Sequence, residues 1–208
     1  MKYRLANKEI KEEYGVNLLR ARGVDDVHRF LFPTEESCLQ DFSDLENYKM
    51  GVKVIEGTIQ DQRPYVIIAD CDCDGVCSFA IIYQYLKRLN PEKEIDFLIH
   101  EGKQHGFSDL IDKIEEKDWS LIIAPDSATN DGSFIKNFNC PVLVLDHHLK
   151  EEDSLIPDNM ILINNQTSEK YKNKNLCGGG VTWQFCRALD DYFLKDWAYD
   201  YIDLCAVS

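Results

Sequence analysis

The chain changes its hydrophobic rhythm near residue 60. Before that point, apolar residues recur at helical spacing. Leu18 and Leu19 followed by Arg20–Ala21–Arg22–Gly23 predict a helix closed by glycine, and Val24 to Leu31 predicts a second, short one stopped before Pro33. Leu45, Tyr48, Val52, Ile55 and Ile59 fall on one face of a third predicted helix, interrupted by Gly51 and Gly57, which weaken it. From residue 65 onward, short continuous apolar runs alternate with amphipathic ones. Strands are predicted at Tyr65–Ala69, Ile95–His100, Ser120–Ala124, Val142–Leu145 and Met160–Ile163, with helices near 76–90, 108–117, 131–138 and 180–194. Strands apolar on both faces and separated by helices define an α/β fold, a mainly parallel sheet flanked by helices. The expected organisation is an N-terminal helical segment over 1–60 followed by a core over 61–208.

This pattern makes the polar residues at the strand ends informative. The first strand runs into Asp70, Asp72, Asp74 and Gly75, the third into Pro125–Asp126, and the fourth into Asp146–His147–His148. In a parallel sheet those ends share one edge, where open α/β folds bind ligands. Carboxylates gathered there repel one another unless a counter-charge is present. An oxygen-rich set supplemented by imidazole suits Mn²⁺ or Mg²⁺, and the ligands suffice for two ions at the spacing used for attack at phosphorus. An imidazole beside such a pair can position phosphate or protonate a leaving oxygen. Taken singly, Asp126 reads equally as a helix cap and the His pair as an ordinary surface feature; joint placement on three strand ends carries the functional reading.

A calcium loop of EF-hand type is excluded, because its twelfth position, counted from Asp70, is Ile81 rather than glutamate. Eight cysteines, at 38, 71, 73, 77, 140, 177, 186 and 205, lack zinc-ribbon spacing. Met1–Lys2–Tyr3–Arg4 opens no secretion signal, and no apolar run approaches about 18 residues, so no membrane span is predicted. Reduced thiols and a cytoplasmic location are expected. The net charge of −14 opposes polyanion binding through bulk electrostatics, so any such substrate must be met by a local patch or by bound cations. Leu176–Cys177–Gly178–Gly179–Gly180 precedes a helical run, and consecutive glycines at a helix N-terminus suit an anion; the same turn can also be a tight connection. Lys170, Lys172 and Lys174 lie just upstream, with Lys174 a candidate phosphate contact and solvation its ordinary alternative.

"ADCDCDG", "APDSATND", "LDHH" and "NLCGGGV" resemble, in order and spacing, the motifs of the DHH-family phosphoesterases. The chain looks most like the RecJ-type single-strand-specific exonucleases. The likeness extends to "LLRARGVDDVHRFLFP" and to "LENYKMGVKVIEGTIQDQRPYVIIAD". "GKQHGFSD" stands where that group has a Gly-Tyr-Gly-like loop, which makes His105 a candidate substrate contact, and "INNQ" where it usually has Asn-Pro. The resemblance implies a two-metal, Mn²⁺- or Mg²⁺-dependent phosphodiesterase acting 5′ to 3′ on single-stranded DNA, alongside other DNA-processing proteins. By motif, it implies that Asp70, Asp72 and Asp74 are metal ligands, that Asp126 bridges the two ions, and that His147 binds one of them. It further implies that His148 contacts the scissile phosphate or assists the leaving group, with Asp146 as ligand or supporting partner, and that Gly178, Gly179 and Gly180 hold the substrate phosphate. Two departures stand out. The family carries a further DHHA1-type domain, and a last metal-binding aspartate normally follows a segment like Asp203–Leu204–Cys205–Ala206–Val207; the chain stops at Ser208 without it. A fragment of a longer protein is the expectation. An oligonucleotide, cyclic-dinucleotide or pyrophosphate hydrolase and a non-catalytic DHH-derived binding module are the alternatives.

Overall fold

The computed structural model describes residues 14–34, 38–100 and 106–208. The chain divides into two compact units, Met1–Leu39 and Gln40–Ser208. The first holds helices α1 (Tyr14–Ala21) and α2 (Val27–Leu31). Gly23, at φ +86°, closes α1: its N–H reaches Arg20 O and the next N–H reaches Leu19 O, each at 3.0 Å. Glycine takes that left-handed conformation without a Cβ clash. The second helix begins three residues later than the apolar pattern predicts, because Asp26 stays outside it and caps it, accepting from Arg29 N at 2.9 Å.

The second unit is built on a five-stranded, wholly parallel sheet in the order β2-β1-β3-β4-β5. The strands are β1 (Tyr65–Ala69), β2 (Ile95–Ile99), β3 (Leu121–Pro125), β4 (Val142–Asp146) and β5 (Met160–Asn164). All five were predicted within a residue at each end. Every residue of β1, β3, β4 and β5 is buried, as their uninterrupted apolar runs require, while the edge strand β2 is part-exposed. One face packs Val66, Ile68, Ile122, Val142 and Val144 against Phe107, Leu110, Ile114, Trp119 and Ile135. The opposite face carries helices α3 (Tyr48–Thr58), α4 (Cys73–Leu89) and α7 (Gly178–Phe193), with α8 (Ile202–Val207) against α4 and α7.

Several elements depart from the periodicity for local reasons. Gly51 does not weaken α3; a Cβ there would stand 2.8 Å from both Ile163 Cδ1 and Phe185 Cε2, so glycine permits the helix to approach β5 and α7. The α4 helix starts at Cys73 rather than near 76, because Asp72 caps it through Gly75 N at 2.9 Å. The helices α5 (Ile111–Glu115) and α6 (Gly132–Ile135) are shorter than predicted. Past α6 the chain tightens, and Asn159 Nδ2 collects the carbonyls of Ile135, Phe138 and Cys140. Lys93, only 4% exposed, does similar work at the far end of the sheet. Its ammonium donates to the carbonyls of Thr58, Asp61 and Arg63, each at 2.9 Å, and to Ser120 Oγ at 3.1 Å.

The chain leaves β1 for β2 on one side and reaches β3 on the other, so the strand order reverses between β1 and β3. That crevice, outside the strands' C-terminal ends, is where doubly wound sheets bind ligands. Asp70 and Asp126 stand on its two walls. Among the described residues, no helix is long and apolar enough to cross a membrane.

Candidate metal centre

The three alternate aspartates occupy three different backbone settings. Asp70 directly follows β1, is 1% exposed, and accepts from Cys71 N–H at 2.6 Å. Asp72 is the N-cap of α4. Asp74 lies in the first turn of that helix, where the positive end of the helix dipole favours a carboxylate. Gly75 completes the motif for a steric reason: a Cβ there would fall 2.4 Å from Asp70 Cβ.

Asp126 enters from the other wall. The residue takes φ +63°, a conformation that short polar side chains tolerate, which turns the chain sharply at the end of β3. Its carboxylate is buried, and Oδ1 faces the His147 imidazole without a well-aligned hydrogen bond. Burial pushes the carboxyl up to about 6, against the pull of His147. The His147 Nε2 atom stands 3.2 Å from Asp126 Oδ1 and 3.6 Å from Asp74 Oδ2. Those carboxylates, Asp126 foremost, hold the imidazole up at about 9 against the desolvation that opposes its charge.

Potential ligand atoms of Asp70, Asp72 and Asp126 lie within 4.8 Å of one another, as do those of Asp126, Asp146, His147 and His148. Asp126 belongs to both groups. A buried carboxylate shared by two clusters of hard donors and imidazole is the chemistry that a divalent cation satisfies. The residues present therefore fit Mn²⁺ or Mg²⁺.

Asp146 differs from the rest. Fully buried at the end of β4, it accepts from His147 N (2.7 Å), His148 N (3.2 Å) and His148 Nδ1 (2.7 Å) on Oδ1, and from Thr129 N (3.0 Å) and Oγ1 (2.6 Å) on Oδ2. Burial alone would raise this carboxyl, yet the bonds from His148 and Thr129 hold it below the usual carboxylate range. With its oxygens so engaged, Asp146 orients His148 and the turn after β3. Asn164 Nδ2, donating to Thr129 Oγ1 at 2.8 Å, extends the network to β5. Since Nδ1 of His148 is committed to Asp146, Nε2 is the nitrogen through which that ring meets a ligand.

The glycine turn meets the centre directly. N–H groups of Gly178 and Gly179 donate to Asp74 Oδ2 (2.9 Å) and Oδ1 (2.8 Å), and the Ser208 hydroxyl donates to the same Oδ1. A Cβ on Gly178 would fall 2.2 Å from Asp126 Oδ1, so the absence of a side chain lets the N-terminus of α7 abut the carboxylates. Gly180 N–H turns instead to Cys177 Sγ at 3.2 Å. Lys174 lies apart from this cluster: its ammonium donates to the carbonyls of Asn165, Gln166 and Ser168 and braces its own loop. His105 lies outside the described residues. Thr129, Asn164 and Ser208 support the site without having been singled out by the sequence. Thr129 sits inside the "APDSATND" motif, but its partner Asp146 is 17 residues away, a pairing visible only once β3 and β4 are adjacent.

The profile of the DHH family, N-terminal domain, matches residues 64–208, and the chain belongs to that family. It is 29% identical over its whole length to the "Putative SPbeta prophage-derived single-strand DNA-specific exonuclease YorK" of Bacillus subtilis strain 168, covering 36% of that protein. It is also 27% identical over 201 residues, 92% of this chain, to the single-stranded-DNA-specific exonuclease RecJ of the same organism, covering 25% of it. Among solved structures, RecJ of Thermus thermophilus in complex with Mn²⁺ superposes with a TM-score of 0.66 at 19% identity, over 78% of this chain and 23% of that one. The chain thus spans roughly a quarter to a third of the length of these curated relatives.

Proposed function

We propose that this chain carries the metal centre of a 5′-to-3′ exonuclease that hydrolyses single-stranded DNA by a two-metal mechanism. The observation carrying the proposal is Asp126, a buried carboxylate that belongs to both ligand clusters and meets His147 Nε2 at 3.2 Å. Asp70, Asp72 and Asp126 would hold one cation, and Asp74, Asp126 and His147 the other. When bound, the pair supplies counter-charge to the phosphoryl oxygens and lowers the pKa of water at the site.

The chain's own residues divide the remaining work. The N-terminus of α7 fixes Asp74 through two backbone N–H bonds, so that ligand is positioned before any cation arrives. Thr129 and Asp146 lock the tautomer and orientation of His148, which then carries a proton on Nε2 toward the oxygen that leaves phosphorus. Buried walls of β1 and β3 exclude water from the Asp126 side. The two named exonuclease relatives support DNA as the substrate; 5′-to-3′ polarity rests on the likeness of the motifs to RecJ-type enzymes.

The test is Mn²⁺-dependent hydrolysis of 5′-phosphorylated single-stranded DNA by the full-length protein, run beside a dinucleotide and pyrophosphate. Release of 5′-mononucleotides that disappears in Asp126→Ala is expected. Turnover of the dinucleotide or pyrophosphate alone would transfer the protein to a small-substrate branch, and silence on all three would leave a binding module.

A further inference from the structure

We infer that Cys177 and Cys205 form a reactive thiol pair that exchanges with low-molecular-weight disulfides and closes to an intramolecular disulfide beside the metal centre. Cys177 and Cys205 are both reduced thiols. Of the other cysteines, Cys77, Cys140 and Cys186 are buried, and Cys38, Cys71 and Cys73 are exposed. Cys177 and Cys205 are both half-buried and adjacent, with Cys177 Sγ 3.9 Å from the Cys205 carbonyl oxygen.

Cys177 is the attacking member of the pair. It is the N-cap of the 16-residue helix α7, and its sulphur accepts from Gly180 N–H and from the Ser208 hydroxyl, each at 3.2 Å. Donors and a helix N-terminus stabilise a thiolate. Cys205, with the Gly180 N–H bond, holds the Cys177 thiol down at about 6 against its burial. Cys205 is shifted the other way, by donating to Cys177 and by burial, which keeps it protonated until Cys177 has reacted.

The chemistry balances with a glutathione-type disulfide as the oxidant. The Cys177 thiolate attacks one sulphur, the reagent S–S bond breaks, and the expelled glutathione thiolate takes up the proton that Cys177 had released. Cys205 then loses its proton to water and attacks Cys177 Sγ. The mixed S–S bond breaks, and the second glutathione leaves as a thiolate that recovers that proton. Two protein thiols are oxidised by two electrons, and one reagent disulfide is reduced to two thiols. The bridge would tie the cap of α7, whose N–H groups hold Asp74, to α8, whose following residue Ser208 holds the same carboxylate. This thiol chemistry is independent of the nuclease reading.

Oxidised glutathione at neutral pH, followed by alkylation and peptide mass spectrometry, tests it on the unmodified protein. The expected product is a Cys177–Cys205 cross-link formed before the exposed Cys38, Cys71 and Cys73 are glutathionylated. In Cys205→Ser a stable glutathione adduct should accumulate on Cys177, and in Cys177→Ser, which keeps a capping oxygen, the cross-link should be absent. Adducts on the exposed cysteines while Cys177 and Cys205 stay alkylatable would overturn the inference, as would a cross-link to Cys73.

Discussion

Asp126 and Asp146 end neighbouring strands, yet the chain prepares them for opposite tasks. Asp146 receives a bond on every side and is held ionised, while Asp126 Oδ1 faces the His147 imidazole and the carboxyl is pushed up by burial. His147 answers the second condition: its Nε2 stands 3.2 Å from Asp126 Oδ1, and that carboxylate holds the imidazole protonated. A raised imidazole contributes stability that is fully present below its ordinary 6.5 and is lost as pH rises through about 9. A metal must displace that proton, whereas Asp126 is ionised above about 6. Apparent Mn²⁺ affinity should therefore rise by about tenfold per pH unit through the neutral range, with one proton released per chain. Calorimetric titration at two pH values, in buffers of different ionisation enthalpy, measures both quantities. An affinity independent of pH would remove His147 from the ligand set.

At the scale of elements, the site depends on how closely helix ends approach strand ends. The Gly178→Ala substitution places a methyl within 2.2 Å of Asp126 Oδ1 and should push α7 off Asp74. It is expected to cost about 1–3 kcal/mol of stability and to weaken Mn²⁺ binding together, read by denaturant melts with and without metal. A variant with wild-type values of both would show that α7 does not brace the centre. Lys93 braces the opposite end of the sheet. Lys93→Met removes the donor to the part-buried carbonyls of Thr58, Asp61 and Arg63 and should destabilise by about 1–3 kcal/mol while leaving Mn²⁺ affinity unchanged. A change in metal affinity would break that separation of stability from function. The sheet itself was legible in the sequence because its strands are apolar on both faces, a signal independent of their order. The convergence of Asp70, Asp126 and His147 was legible for the same reason, since parallel strands place their C-terminal ends together. The brackets around these residues were not. Thr129 on Asp146, Ser208 on Asp74 and Lys93 on three carbonyls are contacts between distant segments, with no periodicity to announce them. Gly51 read as a weakness because propensity counts its backbone freedom and cannot see the neighbouring Ile163 and Phe185.

Over the whole molecule, charge decides what the centre must do. A chain carrying −14 repels a polyanion, and the carboxylates of the crevice sharpen that repulsion where the scissile phosphate would lie. In the proposed function divalent cations would reverse the local sign, coupling metal and substrate binding through the same few residues. Such coupling requires Asp126 to serve both ligand clusters at once. The most direct measurement is Mn²⁺ stoichiometry by calorimetry with electron paramagnetic resonance, comparing the native chain with Asp126→Asn. Two ions per native chain with spin-coupled spectra, and loss of both the coupling and the tighter binding in the variant, are predicted. No stoichiometric binding to the native chain, or two coupled ions retained by Asp126→Asn, would contradict a shared-carboxylate metal centre.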